Sequence, residues 1–435
     1  MASVNMDFKR LLTGFCLGAI LSLGIACSQQ VLLSAPATSA PSAAEPVAPT
    51  QAREGGSDLG AAPDSSAPDL FAPELSAEAQ ALVASVPGGL VNPPHKDVRL
   101  AVISDLNSAY GSTTYDPEVD RAMALLPFWQ PDLVVCGGDM VAGQDRSLTP
   151  AQINAMWQAF DDHVAAPLRE HNLPFGFTVG NHDASNATGA NNSFLFQRDR
   201  DLASAYWATP EHSPGVNFID RSDFPFFYTF EQQGIFFMAW DGSSSRIPAD
   251  KLAWVEQALA SDVAQQAKAR ILLGHLPLYG IAVGRDKPGE VLANADQLRT
   301  LLERYNVHTY ISGHQHAYYP AHRGKLQLLH AGILGSGPRP LIDSDRAPWK
   351  AITIVDIDFD DPDLTTYTTY EMQSLRTVDY AELPRFLAGH NGVVLRRDVT
   401  YDSLAPAEKS FCTQRLGNAL CTGNLPFLKP KTYRA

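Results

Sequence analysis

The chain has 435 residues, 45% of them apolar, and a formal net charge of −14 at pH 7. That length suits one large domain or two ordinary ones. The negative balance excludes a broad electrostatic grip on nucleic acid or anionic lipid, but it permits local phosphate binding where metal ions carry the positive charge.

The first predicted element is a targeting segment, residues 1–26. Lys9 and Arg10 form a basic flank, and Leu11 to Ala26 is an apolar run ending in small residues. The run is shorter than the roughly 20 residues a spanning helix requires, so it reads as a cleaved export signal. Leu23 to Cys27, LGIAC, resembles a bacterial lipoprotein box, with Gly24 where Leu is usual. Cleavage before Cys27 would leave a thiol for lipid attachment. The expected location is therefore the periplasm or cell surface, with the chain anchored to the membrane through Cys27; plain secretion and an uncleaved anchor are the alternatives.

Residues 27–95 read as a tether. From Ser28 to about Asp69 the chain is mostly Ala, Pro and Ser, too poor in large apolar side chains to offset the entropy of ordering. SAEAQALVASVP predicts one short helix capped by Ser76. The folded body spans 96–375. Its apolar runs VRLAVISD, DLVVCGGD, FGFTVGNHD, IFFMAWDG, ARILLGHLP and VHTYISGHQH each stop at a polar or glycine-rich turn. Between several of them lie helical patterns: PEVDRAMALLPFW, PAQINAMWQAFDDHVAAPLREH, ADKLAWVEQALASDVAQQA and NADQLRTLLERYN. FFYTFEQQGIFFMAW predicts a hairpin about Gln233 and Gly234, and AITIVDIDF with LTTYTTY a later strand pair. Alternating strands and helices imply α/β layering with chemistry at the strand ends. Residues 376–435 read as a C-terminal extension, in which Cys412 and Cys421 are close enough to form a disulfide in an oxidising compartment or else stay as two thiols. Cys136, inside LVVC, reads as a small core residue.

The strand exits carry Asp105 and Asn107; Asp139 after Gly137 and Gly138; Asn181, His182 and Asp183 after Gly180; His275 after Gly274; and His314 and His316 after Gly313. Each piece alone is weak, since a single histidine after a strand is usually a hydrogen-bonded structural residue. Together, carboxylates and imidazoles at successive exits suit Zn, Mn, Fe or Co, and Asp139 is the natural bridge between two such ions.

The ordered blocks SD-x-N, GGD, GNHD, GH and GHQH, across Val98 to Tyr370, resemble those of the calcineurin-like metallophosphoesterases, a superfamily that includes the purple acid phosphatases. The resemblance implies an α/β (α+β) four-layer fold, two β-sheets in a sandwich flanked by helices. It implies two transition metal ions. Asp105, Asp139 and His316 would hold one; Asp139, Asn181, His275 and His314 the other. His182 would contact the substrate phosphate and protonate the leaving group, and a hydroxide between the metals would attack phosphorus. The implied activity is hydrolysis of a small-molecule phosphate ester, monoester or diester.

Asn107 departs from the pattern, because most relatives place His there. A neutral amide oxygen is a poorer ligand for a transition metal, so the first site is expected to be weaker and its ion exchangeable. Purple acid phosphatases supply a tyrosine just past the bridging Asp; this chain has Met140 and Ala142 there, leaving Tyr110, Tyr115 or water to compensate. On the substrate side, Ala184 to Asp223 reads as a long loop insertion with Arg198, Arg200 and Arg221 as phosphate contacts or solvated charges, and Tyr318, Tyr319 and His322 as further pocket candidates. His308 and His330 read as structural. The competing reading is a catalytically silent ligand-binding protein or cell-envelope lipoprotein that keeps the fold.

Overall fold

The structure is a computed structural model that describes residues 75–361 and 365–422. The expected export signal, Cys27 and most of the tether lie outside the described residues. The helix expected after Ser76 is present as Ala77–Ser85, with the Ser76 hydroxyl accepting from Ala79 N.

Two sheets form the centre. The first contains β1 (Val98–Ile103), β2 (Leu133–Cys136), β3 (Phe175–Phe177), β11 (Ala351–Ile357) and β12 (Thr366–Glu371), in the order β12-β11-β1-β2-β3. The second contains β4 (Asn217–Asp223), β5 (Phe227–Gln232), β6 (Ile235–Ala239), β7 (Ala269–Leu273), β8 (Thr309–Ser312), β9 (Tyr318–Arg323), β10 (Leu326–Ala331), β13 (Phe386–Gly389) and β14 (Gly392–Arg396). Its order is β13-β14-β9-β10-β8-β7-β6-β5-β4. The centre of each sheet is parallel: β1, β2 and β3 in one, β6, β7, β8 and β10 in the other.

The run VRLAVI is apolar on both faces because both faces are covered. Val98, Leu100 and Val102 join Leu133 and Val135 in the core shared with the second sheet. Ala101 and Ile103 join Val134 and Cys136 in a second core beneath the helices Pro117–Trp129 and Pro150–Phe160. Arg99, the charged exception, is buried against Asp356 of β11 at 2.7 Å and also donates to the Trp129 carbonyl. On the far side of the second sheet, the helices Ala249–Leu259 and Ala295–Arg304 contribute Val255, Leu259, Leu298 and Leu302. Helix, sheet, sheet and helix give the four layers that the resemblance implied.

Three local readings need correction. The insertion 184–223 is not a loop: it contains the helix Gln197–Ala208 and ends as β4, the edge strand of the second sheet. The helical pattern ADKLAWVEQALASDVAQQA breaks at Ser261, whose hydroxyl accepts from Ala264 N to start a second helix, Asp262–Gln266. Tyr318 and Tyr319, expected as pocket candidates with His322, are fully buried side chains. They lie on β9, where the Tyr319 hydroxyl donates to the Pro384 carbonyl and His322 Nε2 meets the Val399 carbonyl at 2.7 Å. The segment that covers them carries the hairpin β13–β14, which extends the second sheet beside β9, and a disulfide between Cys412 and Cys421.

Candidate metal centre

The ends of the parallel strands of both sheets meet, and short backbone bonds knit them together. Asp105 N donates to the Gly138 carbonyl at 2.9 Å, Gly313 N to His275 O at 3.1 Å, and Leu334 N to Ser104 O at 3.1 Å. Several turns are possible only with glycine. Gly138 has φ +95, and a Cβ there would stand 2.8 Å from both Gly180 N and His275 Nδ1. A Cβ on Gly180 would collide with the Asp139 carboxylate. Four chemistry-bearing residues themselves adopt left-handed backbone: Asp105 (φ 50), Asp139 (φ 56), His314 (φ 64) and His316 (φ 54). Such conformations persist only where the surroundings enforce them, and they concentrate at functional sites.

The turns bring six of the seven expected ligands into one cluster. Asp105, Asp139 and His275 each present a ligand atom within 4.8 Å of the others. His316 Nε2 lies 3.2 Å from Asp105 Oδ1. His275 Nε2 lies 3.3 Å from Asp139 Oδ2 and 3.0 Å from Asn181 Oδ1. His314 Nδ1 lies 2.9 Å from Asn181 Oδ1 and 3.3 Å from His275 Nε2. Asn107, the seventh, is buried in the same crossing but directs its Nδ2 to the Val141 carbonyl at 3.1 Å, leaving Oδ1 as the atom able to meet a cation.

Contacts behind the cluster fix which ring nitrogen faces inward. His275 Nδ1 bonds the Gly137 carbonyl at 2.8 Å and His316 Nδ1 the Gly337 carbonyl at 3.0 Å, so each presents Nε2. His314 is turned the other way: its Nε2 lies 2.8 Å from Glu290 Oε2, so a neutral ring donating there presents the Nδ1 lone pair. Burial holds the His314 pKa down at about 3, and the His314 bond draws Glu290 down to about 2. Arg285 Nη1 lies 2.8 and 3.0 Å from the two His314 nitrogens. One atom that near both nitrogens cannot lie in the ring plane without striking Cε1. It therefore rests against the ring face and uses neither lone pair.

Asp105 and Asp139 are fully buried carboxylates side by side. Burial opposes their ionisation, yet His316 holds the Asp105 pKa below the usual carboxylate value, and His275 with His182 does the same for Asp139. In turn Asp139 outweighs burial and raises His275 to about 9. Two buried atoms of the cluster, Asp139 Oδ2 and His316 Nε2, have no hydrogen-bond partner. Orphaned acceptors aimed into a group of carboxylates, an amide oxygen and imidazoles are what a cation would satisfy. The residues fit the metal ions that the resemblance implied.

His182 stands beside the cluster. Its Nδ1 bonds the Gly143 carbonyl at 3.1 Å, its Nε2 lies 4.0 Å from Asp139 Oδ2, and the exposed ring of Tyr110 packs on it at 4.9 Å. Neither compensating tyrosine is directed at Asp105: the Tyr115 hydroxyl donates to the Met140 carbonyl at 2.8 Å, and Tyr110 lies over His182. His330 is buried in β10, away from this role, and burial lowers its pKa to about 3. The insertion arginines have other partners. Arg198 donates to the Leu148 carbonyl, buried Arg200 pairs with Asp241 at 2.7 Å, and Arg221 rests on Phe218 and Phe224.

Sequence reasoning missed the work of Asp183. Its carboxylate accepts from the backbone of Asp139, Met140, Val141 and Gly180 at 2.7–2.9 Å, shaping the turn that presents Asp139. Burial and the nearby Asp139 charge push its pKa up to about 7. The fourth letter of GNHD was the available signal. Glu290, Arg285 and Gln144, which accepts from Asn181 Nδ2 at 2.7 Å, had none.

The profile described as calcineurin-like phosphoesterase matches residues 98–318, just over half of the chain. No curated protein matches by sequence. Among solved structures, a purple acid phosphatase from yellow lupin seeds is 16% identical, with a TM-score of 0.47 over 66% of this chain and 54% of that one. The chain thus spans about half the length of the lupin protein. GAP50, the anchor in the inner membrane complex of Plasmodium, is 14% identical, with a TM-score of 0.41 over 77% of this chain and 99% of its own. Yfce, a phosphoesterase from E. coli, is 12% identical, with a TM-score of 0.28 over 65% of this chain and 97% of its own. On the strength of the profile match, and with a buried Asp105, Asp139 and His275 group suited to divalent metal, the chain belongs to the calcineurin-like phosphoesterase family.

Proposed function

We propose that the chain hydrolyses small phosphate esters at a two-cation site. Asp105, Asp139 and His316, with Asn107 as a neutral and weaker fourth ligand, hold one cation; Asp139, Asn181, His275 and His314 hold the other. The observation that carries this reading is Asp139 Oδ2, a fully buried carboxylate oxygen without a hydrogen bond, 3.3 Å from His275 Nε2. A buried carboxylate oxygen that accepts no hydrogen bond, beside a second buried carboxylate and between imidazoles, is placed where a cation would be held. Bound divalent ions supply Lewis-acid polarisation of the phosphoryl oxygens and make a coordinated water acidic near neutral pH.

The rest belongs to the protein. Asp183 holds the Asp139 turn in register. The Gly143 carbonyl and the Tyr110 ring orient His182 so that its Nε2 faces the cluster. In the protonated form that nitrogen delivers a proton to the departing oxygen. No nucleophilic side chain is required.

The export reading belongs to the same proposal. The basic and apolar N-terminus and Cys27 support a lipid-tethered protein outside the cytoplasm, and the Cys412–Cys421 disulfide agrees with an oxidising compartment. Among the described residues, no helix is long and apolar enough to cross a membrane.

The test is turnover of an aryl phosphate and its bis-ester by purified protein supplied with Mn, Fe, Zn or Co. Turnover that chelation abolishes and added metal restores is expected. His182→Ala should lower it by roughly 10²–10⁴-fold for poor leaving groups and less for nitrophenolate. Absence of turnover with every metal would overturn the reading in favour of a binding protein.

A further inference from the structure

Residues beside the last motif make a cationic pair that the mechanism does not use. Ala282 and Leu341 form an antiparallel bridge, and Val283 N donates to the Pro340 carbonyl at 3.0 Å. That pairing sets Gly284 opposite Arg339, so that Arg339 Nη1 lies 3.1 Å from a Cβ built on Gly284. Arg285 follows at once in the chain. Both arginines are tied to the metal cluster: Arg285 Nη1 rests on the His314 ring, and Arg339 N donates to the His316 carbonyl at 2.9 Å.

Their charges are poorly matched. The Arg339 guanidinium makes no ion pair among the described residues, and its buried Nε has no hydrogen-bond partner. Arg285 reaches Glu290 at 3.9 Å, but that carboxylate already accepts from His314 and lies 3.8 Å from Lys287. In a chain with net charge −14, two half-buried arginines left this way at the edge of a phosphate site call for an anion. Guanidinium groups bind oxyanions through paired, charge-assisted hydrogen bonds.

We propose that Arg285 and Arg339 form a subsite for a second acidic group of the substrate, so that the ester hydrolysed carries another oxyanion, such as a phosphate or carboxylate, besides the scissile phosphate. This rests on the phosphoesterase reading and narrows its substrate class. It replaces Arg198, Arg200 and Arg221, whose guanidinium groups are held by a carbonyl, a carboxylate and aromatic rings.

The test compares methylphosphonate with methylenediphosphonate binding to the metal-loaded full chain by calorimetry, with unbound metal removed so that no free cation captures the probe. The diphosphonate is expected to bind at least about tenfold more tightly. Arg339→Gln and Arg285→Gln should each bring that ratio close to one, and Arg339→Lys should keep part of it. Arg304→Gln, which removes an exposed arginine paired with Glu256, should leave it unchanged. A ratio near one in the unmodified chain, which needs no variant to fold, overturns the proposal; so does a ratio that both glutamine variants preserve. Turnover of phenyl phosphate with added metal is read on the same preparations. Turnover with a ratio near one removes the subsite alone, whereas a high ratio without turnover keeps an anion site and removes the hydrolytic reading.

Discussion

Asn107 keeps its place by giving an amide proton to the Val141 carbonyl at 3.1 Å. An imidazole can make the same bond through one ring N–H and still offer the other nitrogen, so Asn107→His should retain the local structure and bind the first cation more tightly. The gain should be at least the 10–100-fold that outer partners of a metal ligand are worth. Calorimetric titration with Mn or Co reads it, and an unchanged affinity would mean that Asn107 does not face the cation. Glu290 is the second test at this scale. Its bond to His314 Nε2 selects the inward nitrogen, so Glu290→Ala should weaken one cation by about 10–100-fold. Glu290→Gln should recover much of the loss, because an amide oxygen still accepts that proton. The visible spectrum of the Co-loaded protein should change with Glu290→Ala, which a merely structural loss would not produce. The ligands were legible because they stand at successive strand exits, most of them just after a glycine. Glu290 and Arg339 were not: each meets the cluster through contacts that no local spacing encodes, Glu290 across 24 residues to His314.

The helix Gln197–Ala208 shows what propensity and pattern leave out. Its segment, QRDRDLASAYWA, is too polar to announce a buried helix. It is nevertheless held by Arg200, which donates to the Ala184 carbonyl and to Asp241 at 2.7 Å each and lies between the rings of Phe194 and Phe226. An arginine that fills a core position is invisible to hydrophobic periodicity, and for that reason 184–223 reads as a loop. The pair is almost fully buried, so removing one partner strands the other. Arg200→Met should cost about 3–5 kcal/mol in denaturant unfolding, and Arg200→Met with Asp241→Asn should recover much of it, since a neutral amide needs no counter-charge. A loss below 1 kcal/mol for the single variant would show the helix to be held by its aromatic neighbours instead. By contrast, Pro117–Trp129 matches the segment PEVDRAMALLPFW read from its helical spacing, with Pro117 at the first position of the helix.

Across the whole molecule, the first sheet was legible out to its edges, β3 and β12, and the second from β5 to β8. The strands β4, β9, β13 and β14 were not: β4 alternates in burial without an apolar run, β9 mixes tyrosine, proline and histidine, and the β13–β14 hairpin joins β9 from beyond β10, β11 and β12 in the chain. The site depends on the well-specified part, since Asp105, Asp139 and Asn181 end strands of one sheet while His275 and His314 end strands of the other. A cation held between them therefore binds only when both sheets are packed together, and its binding is linked to global unfolding. The metal-free chain carries two adjacent buried carboxylates and four left-handed ligand turns, each turn worth roughly 1–3 kcal/mol of strain. Metal at about 100 times its dissociation constant should add about 2.7 kcal/mol per site, a rise of roughly 5–10 °C in midpoint for a domain of this size. Mn, Co or Zn should produce that rise, chelation should reverse it, and Asp139→Asn should remove most of it by weakening both sites at once. His182→Ala should leave the rise intact, because His182 faces the substrate and holds no cation. A midpoint indifferent to every metal would mean that these ligand turns are held by the fold alone.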